Sequence, residues 1–282
     1  MSLDLVKDIF LTYEGSVGFY VLINGLLQVI VPKDFDTTWA SSHLPHTYGG
    51  LKVCYIEQIL EPTMLPSKRF AGRIGLMVAE AGSPRVVMST HVITEAILAR
   101  SHRDAILGRK HDSHVQKLNG NWNDHVEIWA GSEKTSTVNF LADFQGTRSA
   151  KSIKGSRPSD ILVVGEGIFL NQRAAAGGSK NLKEHDAATW KDLVSRALLY
   201  RVHPDFDPPN GHSGTALYAE GVREDGTVGP GIVGFQSFVQ RSGHVQHFDM
   251  EGHALERRLQ LGRVAFYGAF EVPAELKTYD IV

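Results

Sequence analysis

The stretch "GHSGTALYAEG", residues 211–221, decides the fold. A serine between glycines is either a turn hydroxyl, since Gly and Ser both favour turn geometry, or a nucleophile presented by that turn. The residues that follow, "TALYAEGV" (215–222), alternate like a strand rather than recurring with helical spacing. The residues that precede are "HPDFDPP", which is no buried strand. A nucleophile elbow, G-x-S-x-G, needs a strand before the serine and a helix after it. Position 215 is Thr, and both contextual requirements fail, so this stretch belongs to a β protein.

Outward from it, short β-type runs continue in both directions. They are "GFYVLI" (18–23), "LLQVIVP" (26–32), "LKVCYIEQIL" (51–60), "RIGLMVAEA" (73–81), "RVVMST" (85–90), "HVEIWA" (125–130) and "STVNFLADF" (136–144). "DILVVG" (160–165), "LVSRALLYRV" (193–202), "GIVGFQSFV" (231–239) and "RVAFYGAFEV" (263–272) complete the series, punctuated by Gly, Pro, Asn and Asp. Helices are expected over 92–110 and 251–261, and a capped amphipathic one at the N-terminus, with Ser2 as cap and Leu5, Ile9 and Phe10 on one side. The basic, Gly/Ser-rich stretch 145–160 reads as an exposed loop, and the polar stretch 171–188 as a connection. A lobe boundary near residue 180 follows, and the class is a mainly β sandwich or barrel with helical insertions.

The composition is that of a globular protein: 282 residues, 42% hydrophobic and 21% charged. A formal net charge of −2 gives no basic excess for nucleic acid or an anionic membrane. The single cysteine, Cys54, rules out an internal disulfide and suits a reducing, intracellular compartment. The apolar stretch "VGFYVLINGLLQVIV" is interrupted by Asn24, Gly25 and Gln28 and falls short of a membrane span.

A serine becomes a nucleophile when a histidine takes its proton and an acid fixes that histidine. His91 ends a strand in "VVMSTHV", Asp160 opens one in "SDILVV", and Ser213 sits in "GHSGTAL". Together with "GIVGFQSF", these four motifs, in this order over residues 73–240, resemble the chymotrypsin-fold (trypsin-like) serine peptidases. The resemblance implies two perpendicular six-stranded Greek-key β-barrels. It divides the chain into an N-terminal extension (1–70) partly packed on the barrels, a first barrel lobe with His and Asp (71–180), and a second with Ser and a C-terminal strand (181–282). It further implies that Ser213 attacks a carbonyl, that His91 is general base and then acid, and that Asp160 orients His91. The N–H groups of Gly211 and Ser213 would form the oxyanion hole, and Asp207, Gly234, Phe235 and Gln236 would line the substrate cleft. The substrate would be a protein or peptide, with no cofactor, metal, nucleic acid or membrane partner.

Departures from the family matter as well. His212 stands where secreted relatives carry an Asp that pairs with a freed N-terminus, and the family's disulfides are absent. Asp207, six residues before Ser213, is where trypsin-like pockets hold their acid, whereas Gln236 replaces a pocket-mouth glycine. A Gln there narrows or closes the pocket. The alternative is therefore a catalytically inactive member of the same fold, serving as a binding or regulatory module, alone or within a larger protein.

Asp143 and Asp124 are rival acids. His43/His46, His111/His114 and His244/His247 each form an H-x-x-H spacing, but no H-E-x-x-H or cysteine pair frames a zinc site. "GEG" (165–167) and "AAAGGSK" (174–180) lack the phosphate-loop pattern.

Overall fold

The computed structural model describes residues 1–32, 35–57, 61–62, 74–88, 139–140, 150–154, 157–170, 187–202, 213–223, 225–241, 245–246 and 264–281. Among these the helices are α1 (Leu3–Thr12), α2 (Thr37–His43) and α3 (Ala187–Leu193). The strands are β1 (Gly18–Leu22), β2 (Leu26–Val31), β3 (Thr47–Tyr48), β4 (Leu51–Glu57), β5 (Glu61–Pro62), β6 (Ile74–Glu80), β7 (Ser83–Met88) and β8 (Asn139–Phe140). They continue with β9 (Ala150–Lys154), β10 (Arg157–Leu170), β11 (Val194–Val202), β12 (Ala216–Val222), β13 (Val228–Arg241), β14 (Val245–Gln246), β15 (Val264–Glu271) and β16 (Asp280–Ile281). The protein is mainly β, as the alternation predicts. The expected helices 92–110 and 251–261 and the strand "HVEIWA" lie outside the described residues.

Two sequence expectations are corrected. Residues 150–154 and 157–160, read as exposed loop, form β9 and the start of β10, paired from Arg157↔Lys154 to Ile161↔Ala150. A short polar strand carries little apolar signal of its own, and its place in the sheet comes from the backbone bonds of its neighbours. In α1, Leu5 is 42% exposed, and the buried stripe is Val6, Ile9, Phe10 and then Tyr13. That set follows i, i+3, i+4, i+7 from position 6, with Tyr13 extending the inward face past the helix end. The cap is as expected: Ser2 Oγ accepts from Leu5 N at 3.3 Å.

Among the described residues thirteen strands form one mixed sheet in the order β11-β15-β13-β12-β9-β10-β1-β2-β4-β14, with β3 on β4 and with β5 and β8 on β13. The parallel pairs are β2–β4 and β13–β8. β10 pairs β11 as well, with Ile161 opposite Val202 and Leu170 opposite Val194. Each of β9, β10, β11, β15, β13 and β12 is thus hydrogen-bonded to the next, and β12 returns to β9, every pair antiparallel. The β10–β11 bonds cross residue 180, and the hairpin β1–β2 joins the same sheet through β10.

Three buried clusters occupy its faces. α1, β2, β4 and α3 meet around Phe10, Leu27, Tyr55 and Trp190, with the Phe10 and Trp190 rings 5.8 Å apart. Another cluster takes Ile161, Leu198, Tyr200, Leu217, Val233 and Tyr267 from five strands of the antiparallel circuit. A third joins Tyr20, Ile30, Phe169, Leu199, Phe238 and Phe266. Ile30 therefore faces opposite to Leu27, Val29 and Val31, so β2 is buried on both sides and reads as a continuous apolar run.

The second sheet, β16-β6-β7, has three strands. Its Leu76, Val78 and Val87 pack in one cluster with Ala216 of β12 and Ile232 of β13, and Phe235 and Tyr279 lie against it.

Candidate functional site

Ser213 and Gly214 make a turn that opens β12. Gly214 has φ +92°, which side chains other than hydrogen rarely adopt, so the glycine after the serine sets the direction in which the chain enters the strand. Two backbone bonds clip this turn to β13 at one residue. Gly214 N donates to Gln236 O at 2.8 Å, and Gln236 N donates to Thr215 O at 2.9 Å. The ladder then continues with Ala216 opposite Phe235. Ser213 is 0% exposed.

Gln236 is 2% exposed, and its Oε1 accepts from the Tyr200 hydroxyl at 2.6 Å. Burial holds the Tyr200 phenol well above its ordinary pKa, so it stays neutral and donates. The carboxamide is engaged with a core side chain. Gly234 pairs with Leu217 and Glu271, and a Cβ there would come within 2.5 Å of Phe270 O. Phe235 is half-buried against the β6–β7 side. The strand is irregular here, with its register to β15 shifting between Gln236 and Phe238 and the Ser237 hydroxyl turned back onto Phe235 O at 2.9 Å.

The structure thus brings Ser213, Gly234, Phe235 and Gln236 to one place. Asp160 lies on β10 opposite Lys151 of β9, which is itself opposite Tyr218 of β12. Its backbone is therefore two strands from β12, about 10 Å at sheet spacing, at the level of Tyr218, five residues along the chain from Ser213. His91, Asp207 and Gly211 lie outside the described residues, as do the rival acids Asp143 and Asp124.

The hairpin that leads to His91 is placed. β7 ends at Met88, and Val87 packs against the cluster that contains Ala216, three residues beyond Ser213.

Other candidates are resolved by their surroundings. "GEG" (165–167) is mid-strand, with Glu166 opposite both Val21 and Leu198, and the Glu166 carboxylate holds Arg196, with Oε1 accepting from Nε at 2.7 Å. His43 stacks on Trp39 with centroids 5.0 Å apart. Among the described residues no three His, Cys, Asp or Glu side chains converge as metal ligands. His111, His114, His244, His247 and residues 174–180 lie outside them. No helix among the described residues is long and apolar enough to cross a membrane.

Tyr200 was not legible as a site residue, although Gln236 carried a signal: a lone amide within the apolar run "GIVGFQSFV" demands a buried partner. No protein-family model matches the chain, and no curated protein does either.

Proposed function

We propose that the chain is an intracellular serine endopeptidase of the chymotrypsin type, with Ser213, His91 and Asp160 as its catalytic trio. The observation that carries this is the packing of the β6–β7 hairpin, which leads to His91, against Ala216 and Ile232 beside the Ser213 turn. The antiparallel circuit β9–β10–β11–β15–β13–β12 supports one Greek-key barrel around the serine, in the chain order 1-2-3-6-5-4. On this proposal the second barrel is built around His91, and the first 70 residues are an extension laid onto both. The buried thiol of Cys54 supports a reducing compartment.

In the reaction Ser213 Oγ attacks the peptide carbonyl while His91 takes its proton. The N–H groups of Gly211 and Ser213 hold the oxyanion. His91 then protonates the leaving amine, and water, deprotonated by His91, releases the acyl group and restores Ser213. Asp160 keeps the imidazole in its working tautomer, and Asp207, Gly234, Phe235 and Gln236 border the bound peptide.

The test is labelling by a fluorophosphonate. The wild type should react at one serine, and Ser213→Ala should not react at all. Asp160→Asn should slow labelling by orders of magnitude with Asp143→Asn near wild type, and the reverse ranking would move the acid to Asp143. A folded wild type that never labels would refute the peptidase.

The complete burial of Ser213 favours one second possibility, the same fold used as a catalytically silent binding module. Under that alternative a labelled peptide binds equally well to wild type and Ser213→Ala, and neither turns it over.

A further inference from the structure

A buried polar pair joins β13, the strand that holds the Ser213 turn, to β11. The Tyr200 hydroxyl spends its one hydrogen on Gln236 Oε1, at 2.6 Å, which fixes the orientation of the carboxamide. Gln236 Nε2 is then left with no hydrogen-bond partner among the described residues, on a side chain 2% exposed. A buried donor left unpaired costs about 1–3 kcal/mol, and a leucine of similar volume would avoid that cost. Stability alone therefore does not account for a glutamine at this position.

The main chain of the same residue shows what it is attached to. Gln236 O accepts from Gly214 N at 2.8 Å, and Gln236 N donates to Thr215 O at 2.9 Å. Two of its groups thus grip the Ser213 turn, while a third reaches across the sheet to Tyr200 on β11. The register of β13 to β15 shifts between Gln236, still opposite Ala269, and Phe238, so Gln236 stands directly beside a strand irregularity. The side-chain bond to Tyr200 ties that position to β11 as well.

We propose that Gln236, clamped by Tyr200, is a positioning residue for Ser213: the buried carboxamide sets the height and tilt of the Ser213–Thr215 turn, and with it the aim of the serine hydroxyl and amide. The inference rests on the serine-peptidase function proposed above. It acts through the turn, a role separate from the place of Gln236 beside the bound peptide.

The experiment uses the full chain with Tyr200→Phe, Gln236→Leu and Gln236→Glu, measuring the fluorophosphonate labelling rate and urea stability across pH. Tyr200→Phe keeps the ring and loses only the donor, and Gln236→Leu removes the orphan amide. Both should label about 10²-fold more slowly, the scale of an ångström-size misplacement, while Gln236→Leu is no less stable than wild type. Gln236→Glu adds a pH signature. Its buried carboxyl is neutral at low pH and shaped like the amide, so its rate relative to wild type should be near one there. The ratio should fall as pH rises and the carboxyl ionises.

A wild type that labels, with Tyr200→Phe and Gln236→Leu within twofold of it, overturns the positioning role and leaves the peptidase standing. A folded wild type that does not label overturns both. If Gln236→Leu fails to fold, Tyr200→Phe decides alone, because it leaves the packed ring in place.

Discussion

Replacing Gly214 by alanine tests whether the Ser213 turn is held in its conformation by glycine. At φ +92° a Cβ carries strain of order 1–3 kcal/mol if the turn keeps its shape. If the turn relaxes instead, the bonds Gly214 N–Gln236 O (2.8 Å) and Gln236 N–Thr215 O (2.9 Å) are surrendered, at about 0.5–1.5 kcal/mol each. The two routes cost nearly the same, so the loss should be about 2 kcal/mol by either, or a melting point lower by roughly 4–8 °C. Gly226, at φ +80° with nothing within 4 Å of where a methyl would stand, is the matched control at the exposed β12–β13 hairpin tip. Gly226→Ala should lose comparable stability and label with fluorophosphonate at the wild-type rate, whereas Gly214→Ala should lose both. Thermal melts and labelling rates at matched folded fraction decide it. Equal labelling in the two variants, or a Gly214→Ala melting point at the wild-type value, would refute the turn's dependence on that glycine.

Other perturbations reach the rest of the fold. Trp190→Ala opens a void where α3 meets α1 and should cost about 3–5 kcal/mol in urea unfolding, and a cost under 1 kcal/mol would mean that α3 is not seated there. Burial pushes the Cys54 thiol up to about 12, with a smaller opposing contribution from a Gln28 hydrogen bond. Ellman's reagent at pH 8 should leave Cys54 untouched until urea unfolds the chain. Because the native thiol is the weaker acid, its contribution to stability is full below the unfolded value near 9 and declines as pH rises toward 12. The Asp225 carboxylate accepts from Thr227 Oγ1 at 2.6 Å and Thr227 N at 2.9 Å, and these bonds lower its pKa. Its carboxyl carbon should titrate by NMR below an ordinary Asp, and Thr227→Val should move that midpoint upward. The hairpin is then tightest above the unfolded Asp value and loosens as pH falls through the native one.

Strands were legible wherever alternation or an unbroken apolar run was long enough to outweigh local accident, as in "LLQVIV" and "LVSRALLYRV". β9, five residues of "AKSIK", was not, because nothing in its composition distinguishes it from the loop that flanks it. α3 escaped notice for a similar reason: "AATWKDL" is too short to show a helical period, and the burial of Trp190, with Leu193 packed against the same cluster, depends on Phe10, far away in the chain. Pairing partners were the least visible, since the parallel β2–β4 contact and the return of β12 to β9 are set by distant segments. At the site, Ser213 and Gln236 stood out by residue type. Tyr200 did not, because its hydroxyl gains meaning only from the carboxamide 36 residues on.

β13 carries the chain's most apolar run near the site, and neither of its rims is left open over that run. One rim takes β12, then the Ser213–Thr215 turn at Gln236, then β5 at Phe238 and Val239; the other takes β8 at Gly231 and Ile232, then β15 from Gly234 onward. A segment of this kind is a template for cross-β stacking only when its amides are bare. Fibril seeding from β13 should therefore wait on loss of those neighbours, so that thioflavin-positive assembly follows the unfolding curve and native protein stays silent.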